Sequence, residues 1–350
     1  MSTYLVTGCA GFIGSNLCER LLKDGHTVIG VDDVSTGTEE NLDLLRASNE
    51  FKFLRADISD KEFTQTFIQY LEDYYTAALV FHDEKIDCVF HMAALARIQP
   101  AIQNPVDCLN RNVFGLMNVL EMMRQLKIKN IVFSSSSSVY GLKNKSNLPL
   151  QESYEPDCLN QYSWSKLAGE HLIKVYCNLY DIRGVSLRYF NVYGPREVLN
   201  CGEYSPVLGL FYQQVLKNKQ PMTIVGDGLQ TRDMTHVFDV VEANWLASEK
   251  MSKGTSFKGD IFNVGTGRSI SILDLAKTIQ ELLKKDGIDC TYVHVDPRPG
   301  EARSTQADIS KSVFWSGLGW NPKVSFLDGL MSQKEYYLKK YGFTQKNVEL

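Results

Sequence analysis

Tyr162 and Lys166 are the two side chains in this sequence best suited to general acid–base chemistry, the tyrosine as the base and the lysine as its partner. They stand four residues apart in the segment YSWSK. That segment opens a stretch, 161–180, that is predicted to be a helix, so both side chains lie on one face. A tyrosine hydroxyl is a poor base at its ordinary pKa of about 10. A neighbouring ammonium favours the phenolate and brings that pKa toward neutral pH.

The same spacing occurs a second time, at Tyr336 and Lys340. What distinguishes the first pair is a run of five serines that ends 24 residues before Tyr162, in the segment FSSSSSVYG at 133–141. A hydroxyl there could share a substrate oxygen with the phenol and help carry its proton. A flexible linker is the alternative interpretation of five serines, but its place between an apolar strand and Val-Tyr-Gly argues against it. The C-terminal pair is interpreted as part of a solvated helix face.

The elements that must position these residues form a repeating pattern. Apolar, β-branched runs at 4–7, 27–31, 51–54, 88–91, 131–133 and 185–189 are predicted strands, and amphipathic stretches such as 12–23 and 106–125 are predicted helices. Unbroken apolar strands separated by helices indicate a parallel, doubly wound sheet of the α/β class. After about residue 190, loops rich in Gly, Pro and Arg alternate with short elements, including a predicted helix at 271–284.

This change of pattern predicts two lobes. We expect a Rossmann-type domain at 1–190, a smaller C-terminal α/β lobe at 191–342 with some segments returning to the first domain, and a polar tail at 343–350.

A glycine-rich turn lies between the first predicted strand and the first helix. Gly8, Gly11 and Gly14 allow a tight turn in which backbone N–H groups approach a pyrophosphate at the positive end of the helix. The second strand ends at Asp32, where a carboxylate would accept hydrogen bonds from adenosine ribose hydroxyls and repel a 2′-phosphate. NAD is therefore predicted in preference to NADP. The alternative is that Asp32 and Asp33 merely begin a loop. Asp57, after the third strand, is a further predicted neighbour of the adenine.

Composition excludes several other classes of protein. The chain has 350 residues, a net charge of −4 and no dense run of Lys or Arg, so neither nucleic acid nor a polybasic membrane contact is expected. No stretch of about 18 apolar residues is present, and no signal peptide is predicted. The eight cysteines form no C-x-x-C pair, which favours reduced thiols in a cytoplasmic protein and no metal site.

The spacing Gly-x-x-Gly-x-x-Gly resembles that of the extended short-chain dehydrogenase/reductases, and the chain is most similar to their UDP-hexose 4-epimerases. The matching pieces extend from about residue 3 to about 325: VTGCAGFIGS, HMAA, FSSSSSVYG, YSWSK, LRYFNVYGP, GDGLQTRD and RPGEARSTQADISK. The resemblance implies an NAD-dependent epimerase of a UDP-sugar.

The resemblance also implies residue roles. Tyr162 is the catalytic base, Lys166 its partner and Ser136 the catalytic serine. Asn191 holds the diphosphate, and Arg232 and Arg298 bind the diphosphate and the ribose side of the nucleotide, where guanidinium groups suit a dianion. The implied cofactor contacts further include Phe12, Ile13, Ile58, Ala93 and Asn112, and the implied substrate contacts include Glu301 and Thr305.

The implied reaction is a transient oxidation. Tyr162 takes the proton of the 4-hydroxyl while C4 passes hydride to NAD, and the 4-keto sugar turns and receives hydride on its other face. Thr305, seven residues after Arg298, would lie beside the C2 substituent. A threonine leaves room there for an N-acetyl group, so UDP-N-acetylglucosamine and UDP-N-acetylgalactosamine are expected substrates, with or without UDP-glucose and UDP-galactose.

Three other functions are alternatives. A nucleotide-sugar 4,6-dehydratase needs an acid just after the catalytic serine, where this chain has Ser137 and Ser138. A UDP-glucuronate 4-epimerase stays open, and positive charge near the sugar C6 would favour it. A non-catalytic NAD-binding protein would have been favoured by loss of Tyr162, Lys166 or Ser136.

A homodimer is predicted from two helices with apolar stripes. The stripes are Leu116, Val119, Leu120 and Met123 on one helix, and Leu172, Val175 and Leu179 on the other. Each stripe could instead face its own core in part. Relatives often pair these helices across a two-fold axis.

Overall fold

The computed structural model describes residues 1–77, 85–96, 98–142, 147–199, 205–297, 303–314 and 317–343. Its strands are β1 (Thr3–Thr7), β2 (Thr27–Asp32), β3 (Phe51–Arg55), β4 (Ile86–His91), β5 (Asn130–Ser136), β6 (Arg183–Tyr189), β7 (Val192–Tyr193), β8 (Met222–Val225), β9 (Thr231–Arg232), β10 (Thr235–His236), β11 (Lys258–Val264), β12 (Ile270–Ser271) and β13 (Tyr292–Val295). Its helices are α1 (Phe12–Lys23), α2 (Glu39–Arg46), α3 (Phe63–Ala77), α4 (Ile98–Gln103), α5 (Pro105–Leu109), α6 (Gly115–Gln125), α7 (Gln161–Leu179), α8 (Val207–Tyr212), α9 (Val237–Ser252), α10 (Ile272–Lys284), α11 (Ser310–Val313) and α12 (Phe326–Lys340).

Seven parallel strands form the main sheet, in the order β11-β6-β5-β4-β1-β2-β3. The chain order reverses between β1 and β4, and ligands of such sheets bind in the crevice outside the carboxyl ends of the strands at this point. The predicted doubly wound α/β fold is confirmed. β11 joins the sheet beside β6 although it comes much later in the chain.

Helices cover both faces of the sheet because its strands are apolar on both sides. In β1, Tyr4 and Val6 pack into the core beneath α1 and α9, whereas Leu5 packs into the core beneath α3 and α6. This two-sided burial explains why the strands are continuous apolar runs without alternation.

The predicted helix at 106–125 is not regular. It begins with α5, passes through a π-helical turn at Asn110–Phe114 and continues as α6. A π turn inserts one extra residue into the helix and rotates the turns that come after it. A sequence pattern of 3.6 residues per turn does not reveal this insertion.

The C-terminal part of the chain builds a second core. α8, α10 and α12 pack around β8 through side chains that include Leu208, Ile224, Leu275 and Leu330. This part of the chain also forms three two-stranded sheets, β7 with β10, β9 with β12 and β8 with β13. Within the described ranges, no helix has the length and apolar character required to cross a membrane.

Candidate active site

A cleft of about 1180 Å³ lies between the carboxyl ends of the main-sheet strands and the C-terminal segments. It brings together most of the residues predicted from the sequence. These are Gly8, Gly11, Phe12, Ile13, Gly14, Asp32, Asp57, Ile58, Ala93, Ser136, Tyr162, Lys166, Asn191, Arg232 and Thr305. Asn112 does not line the cleft, and Arg298 and Glu301 lie outside the described residues.

The glycine turn fits a dinucleotide because its backbone is too closely packed for side chains. Gly8 has φ +74°, and a Cβ there would come within 2.6 Å of the backbone nitrogen of Ala93. A Cβ on Gly14 would come within 2.1 Å of the Gly8 carbonyl oxygen. The absence of side chains at these two positions leaves the start of α1 open toward the cleft, as a pyrophosphate requires.

Asp32 lies at the adenosine end predicted for the cofactor. It is buried, and its carboxylate accepts hydrogen bonds from the backbone nitrogens of Ala10 (2.9 Å) and Val34 (2.7 Å). Burial raises its pKa, against the effect of these two hydrogen bonds. Its neighbour Asp33 forms an ion pair of 2.8 Å with Arg111, a residue that also lines the cleft. The Asp32 carboxylate suits ribose hydroxyls and opposes a 2′-phosphate, whereas the charge of Asp33 is balanced by Arg111.

The serine, tyrosine and lysine predicted to be catalytic come from two adjacent elements. Ser136 is the last residue of β5, and its hydroxyl accepts a hydrogen bond from the Ser138 backbone nitrogen (3.1 Å). Tyr162 and Lys166 lie in the first turns of α7. Asn160 caps that helix: its side chain accepts a hydrogen bond from the Ser163 backbone, while the Ser163 hydroxyl accepts one from the Asn160 backbone.

Lys166 is buried beneath the cleft floor. Its Nζ donates a hydrogen bond of 2.8 Å to the Ser134 carbonyl oxygen and lies 5.9 Å from the centroid of the Tyr162 ring. Burial lowers the pKa of Lys166 to about 8. The ammonium thus lies beside the phenol on which it is predicted to act, and its proton is held less tightly than that of an ordinary lysine.

Asn112 supports the site from behind. It is buried in the π-helical turn, accepts a hydrogen bond of 2.7 Å from the Leu95 backbone and donates one of 2.9 Å to the Ser165 hydroxyl. It therefore connects the loop after β4 to the first turns of α7. Its predicted direct contact with the cofactor has no support in this geometry.

Asn191 and Thr305 form the opposite end of the cleft. The Asn191 side chain donates hydrogen bonds to the Asp233 carbonyl oxygen (2.9 Å) and to the Thr305 hydroxyl (3.2 Å). The buried Asp233 carboxylate accepts hydrogen bonds from Thr266, Gly267 and Ala307, so it holds three segments together. Arg232, next to Asp233, lines the cleft.

Sequence reasoning missed several polar partners of these residues. Arg111 contacts Asp33, which lies 78 positions earlier in the chain. A sequence pattern can indicate only the pairing of Arg111 with Asp107, four residues before it. Glu170 and Arg188, which lie beneath the serine run, gave no signal, because a buried charge on α7 or β6 looks the same in a sequence as an exposed one. Tyr336 and Lys340 do not line the cleft; Lys340 pairs with Glu40.

Two further expectations concern metals and thiols. Among the residues whose positions the structure describes, no group of three or more His, Cys, Asp or Glu could hold a metal ion. The seven described cysteines are free thiols, most of them buried.

The chain is similar over nearly its full length to proteins that act on UDP-sugars. A curated relative, the putative UDP-glucose 4-epimerase of Methanocaldococcus jannaschii, is 36% identical, with 93% of this chain and 95% of the relative covered. The solved UDP-N-acetylglucosamine 4-epimerase from Methanobrevibacter ruminantium is 29% identical, with a TM-score of 0.82 and coverage of 97% and 99%. UDP-glucuronic acid 4-epimerase from Bacillus cereus, solved with UDP-glucuronic acid and NAD, is 32% identical, with a TM-score of 0.80 and coverage of 97% and 100%.

The family described as NAD dependent epimerase/dehydratase matches residues 4–265. That span contains the glycine turn, Asp32, Ser136, Tyr162, Lys166, Asn191 and Arg232. The chain belongs to the NAD dependent epimerase/dehydratase family.

Proposed function

We propose that this protein is an NAD-dependent 4-epimerase that inverts C4 of a UDP-sugar through a transient 4-keto intermediate. The observation that carries the proposal is the shared cleft. Ser136, Tyr162 and Lys166 line its middle, the glycine turn and Asp32 line one end, and the Asn191–Thr305 pair lines the other.

Each residue has a defined part in the reaction. The Tyr162 phenolate accepts the proton of the 4-hydroxyl as the C4–H bond breaks, and it returns that proton when the bond re-forms on the opposite face. Lys166 stabilises the phenolate, and the Ser136 hydroxyl hydrogen-bonds the same sugar oxygen. Arg232 holds the diphosphate while the sugar turns. NAD, when bound, supplies the hydride acceptor and donor, and it ends the cycle as it began.

The lining of the cleft favours an epimerase over a 4,6-dehydratase. Ser137 and Ser138 both line it directly after Ser136. The acidic residues among its described lining are Asp32, Asp33 and Asp57: Asp32 ends β2, Asp33 follows it, and Asp57 follows β3, all at the end predicted for the cofactor. No carboxylate in this described lining is therefore placed beside Ser136 to remove a proton from C5 or to protonate the leaving hydroxyl at C6.

A UDP-glucuronate 4-epimerase is the second candidate, because the Bacillus cereus relative acts on that sugar acid. A carboxylate at C6 would call for a dedicated cation. Within the described lining the cations are Arg111, Lys166 and Arg232. Arg111 pairs with Asp33 and Asp107, and Lys166 bonds the Ser134 carbonyl. Arg232 is assigned here to the diphosphate, so an uncharged C6 is the better match.

Thr305 supports N-acetylated hexoses as substrates. Its hydroxyl bonds Asn191 and accepts a hydrogen bond of 3.3 Å from the Asp233 backbone, so the side chain is held at the cleft wall. A small residue fixed in this position leaves volume for the substituent at C2. Spare volume permits the larger substrate without excluding the smaller one.

The test uses the purified protein without added oxidant. UDP-glucose, UDP-N-acetylglucosamine and UDP-glucuronate are incubated separately, and their C4 epimers are resolved by chromatography. We expect epimers from UDP-N-acetylglucosamine, with or without UDP-glucose. Product from UDP-glucuronate alone would establish the second candidate, and loss of water from any substrate would establish a dehydratase.

We also propose a homodimer formed through α7. Trp164, Val175 and Leu179 are 51%, 48% and 65% exposed, and their spacing puts them on one helix face. The stripe of Leu116, Val119, Leu120 and Met123 is fully buried in the chain's own core, so its predicted part in the interface is wrong. Leu172 packs partly against that core as well.

Light scattering at micromolar concentration should give twice the chain mass, and Leu179→Glu should reduce it to the monomer. A monomeric wild-type protein would refute the dimer. The cytoplasmic location stays a prediction from the cysteine content.

A further inference from the structure

One face of α7 carries a third polar residue beyond the two predicted to be catalytic. Glu170 follows Lys166 by four residues, as Lys166 follows Tyr162, so the three side chains form one row. Both later members contact the end of β5. Lys166 Nζ bonds the Ser134 carbonyl oxygen at 2.8 Å, and the Ser135 hydroxyl donates to Glu170 Oε1 at 2.5 Å. The two contacts precede Ser136 directly.

Glu170 is itself held by a buried arginine on the adjacent strand. Arg188, on β6, donates two hydrogen bonds to the Glu170 carboxylate, of 2.8 Å and 2.7 Å, and both side chains are 2% exposed or less. Removal of both charges from water costs free energy, so a fully buried ion pair adds little stability over an apolar pair of the same size. The pair contacts Ser135, the residue directly before Ser136, and this position indicates a role other than stability.

The same arginine contacts the chain on the far side of Ser136. Its guanidinium lies 4.7 Å from the centroid of the Tyr140 ring, and Tyr140 ends the short 3₁₀ turn that follows Ser136. The Tyr140 hydroxyl then donates a hydrogen bond of 2.6 Å to Asn263 Oδ1. Ser136 therefore lies between two anchored residues, Ser135 and Tyr140, and both are tied to the Glu170–Arg188 pair.

The network continues to the segment that carries Thr305. Asn263 Nδ2 donates hydrogen bonds to the carbonyl oxygens of Leu150 (2.8 Å) and Asp308 (3.0 Å). Leu150 in turn pairs through its backbone with Gln306 and Asp308. One buried set of polar groups thus fixes both the serine end and the Thr305 end of the cleft wall.

We infer that Ser135, Glu170, Arg188, Tyr140 and Asn263 form a positioning network that sets the place of Ser136 relative to Tyr162. This role rests on the proposed function, because it presumes that Ser136 and Tyr162 act on one sugar oxygen. Groups that share a transferred proton must be held to within about 0.5 Å of the productive geometry. A displacement of about 1 Å can reduce turnover about a hundredfold.

Ser135→Ala tests the inference with little disturbance of the fold. It deletes one hydroxyl and leaves the bidentate Glu170–Arg188 pair in place. We expect kcat to fall about tenfold or more while the KM for the UDP-sugar and the NAD content stay within twofold of wild type. A deuterium isotope effect at C4 should increase, because the chemical step becomes slower than product release.

Asn130→Ala is the matched control, at the opposite end of the same strand. Asn130 is also buried, and its side chain donates a hydrogen bond of 2.7 Å to the Asp87 carbonyl oxygen. We expect this variant to lower Tm and leave kcat and the isotope effect unchanged. If Ser135→Ala keeps its kcat within twofold of an active wild type, the inference is wrong.

A second variant and a crystal structure keep the test independent of the substrate. Tyr140→Phe removes only the hydroxyl that reaches Asn263, and it should reproduce the loss of kcat in part. Crystal structures of Ser135→Ala and the wild type should differ at Ser136 Oγ and agree at Tyr162. An unmoved Ser136 would overturn the inference even if none of the sugars tested is a substrate. A wild type that converts no UDP-sugar would instead refute the proposed function.

Discussion

Replacement of Gly8 by alanine should release NAD, and a second glycine in the same domain isolates the cause. An alanine at φ +74° costs about 1–2 kcal/mol in backbone strain. Its Cβ would also lie 2.6 Å from the Ala93 nitrogen, whereas real Cβ contacts stay beyond 3.0 Å, so the turn and the segment after β4 must separate by about 0.4 Å. Overpacking of this kind costs about 1–3 kcal/mol more.

Gly25 is the matched control. Its φ is +80°, but a Cβ there meets nothing within 4 Å, so Gly25→Ala carries the backbone strain alone. The additional strain in Gly8→Ala falls on the turn predicted to hold the pyrophosphate. If about 1.4 kcal/mol of this additional strain opposes NAD binding, the affinity for NAD falls tenfold.

The assay measures NAD released from equal amounts of purified protein after denaturation, together with Tm in the presence and absence of added NAD. We expect Gly25→Ala to retain the wild-type NAD content with a modestly lower Tm. Gly8→Ala should retain less NAD and melt lower still. Equal NAD content and equal Tm in the two variants would refute the argument from close packing.

Three further predictions concern turnover. Tyr162→Phe should lower kcat by about 10²–10⁴-fold with bound NAD retained, because only the proton-carrying oxygen is lost, whereas Tyr336→Phe should be close to neutral. Thr305→Tyr should abolish turnover of N-acetylated UDP-hexoses by filling the space beside C2, and it should spare any UDP-glucose activity. Since burial lowers the pKa of Lys166 to about 8, kcat/KM should fall as pH rises through that value and the ammonium loses its charge. Lys166→Arg should move this alkaline limb upward.

Each of these three predictions would be contradicted by a specific result. Wild-type turnover by Tyr162→Phe would remove the base assignment. Retention of N-acetylhexosamine turnover by Thr305→Tyr would show that another residue limits the C2 pocket. A rate that stays flat to pH 10 in the wild-type enzyme would mean that the Lys166 charge is not needed.

The strands of the Rossmann-type sheet were predictable because each is buried on both faces. The run at 4–7 became β1, and the run at 185–189 became β6, with differences of one or two residues at the ends. The glycine turn was equally visible, since tight turns and close backbone approach favour one residue type. The family assignment and NAD as cofactor, inferred from these motifs, are confirmed.

Polar groups that meet inside the fold could not be predicted in the same way. Ser135 and Glu170 are 35 positions apart, and Tyr140 and Asn263 are 123 apart. No periodicity links such pairs, and a serine in a strand is ordinarily interpreted as a solvent-facing residue. The roles of the individual site residues stay predictions, although the structure brings most of them to one cleft.

The position of β11 late in the chain affects how the protein folds during synthesis. β6 occupies an inner position in the finished sheet, yet its outer partner begins only at Lys258. A ribosome adds roughly 5–20 residues each second, so β6 is an unpaired edge strand for several seconds while the segment between β6 and β11 is synthesised. Uncovered edges recruit other strands. A fragment that ends at residue 190 lacks β11, so the edge of β6 would stay unpaired. We expect chaperones to act on the nascent chain before β11 is made.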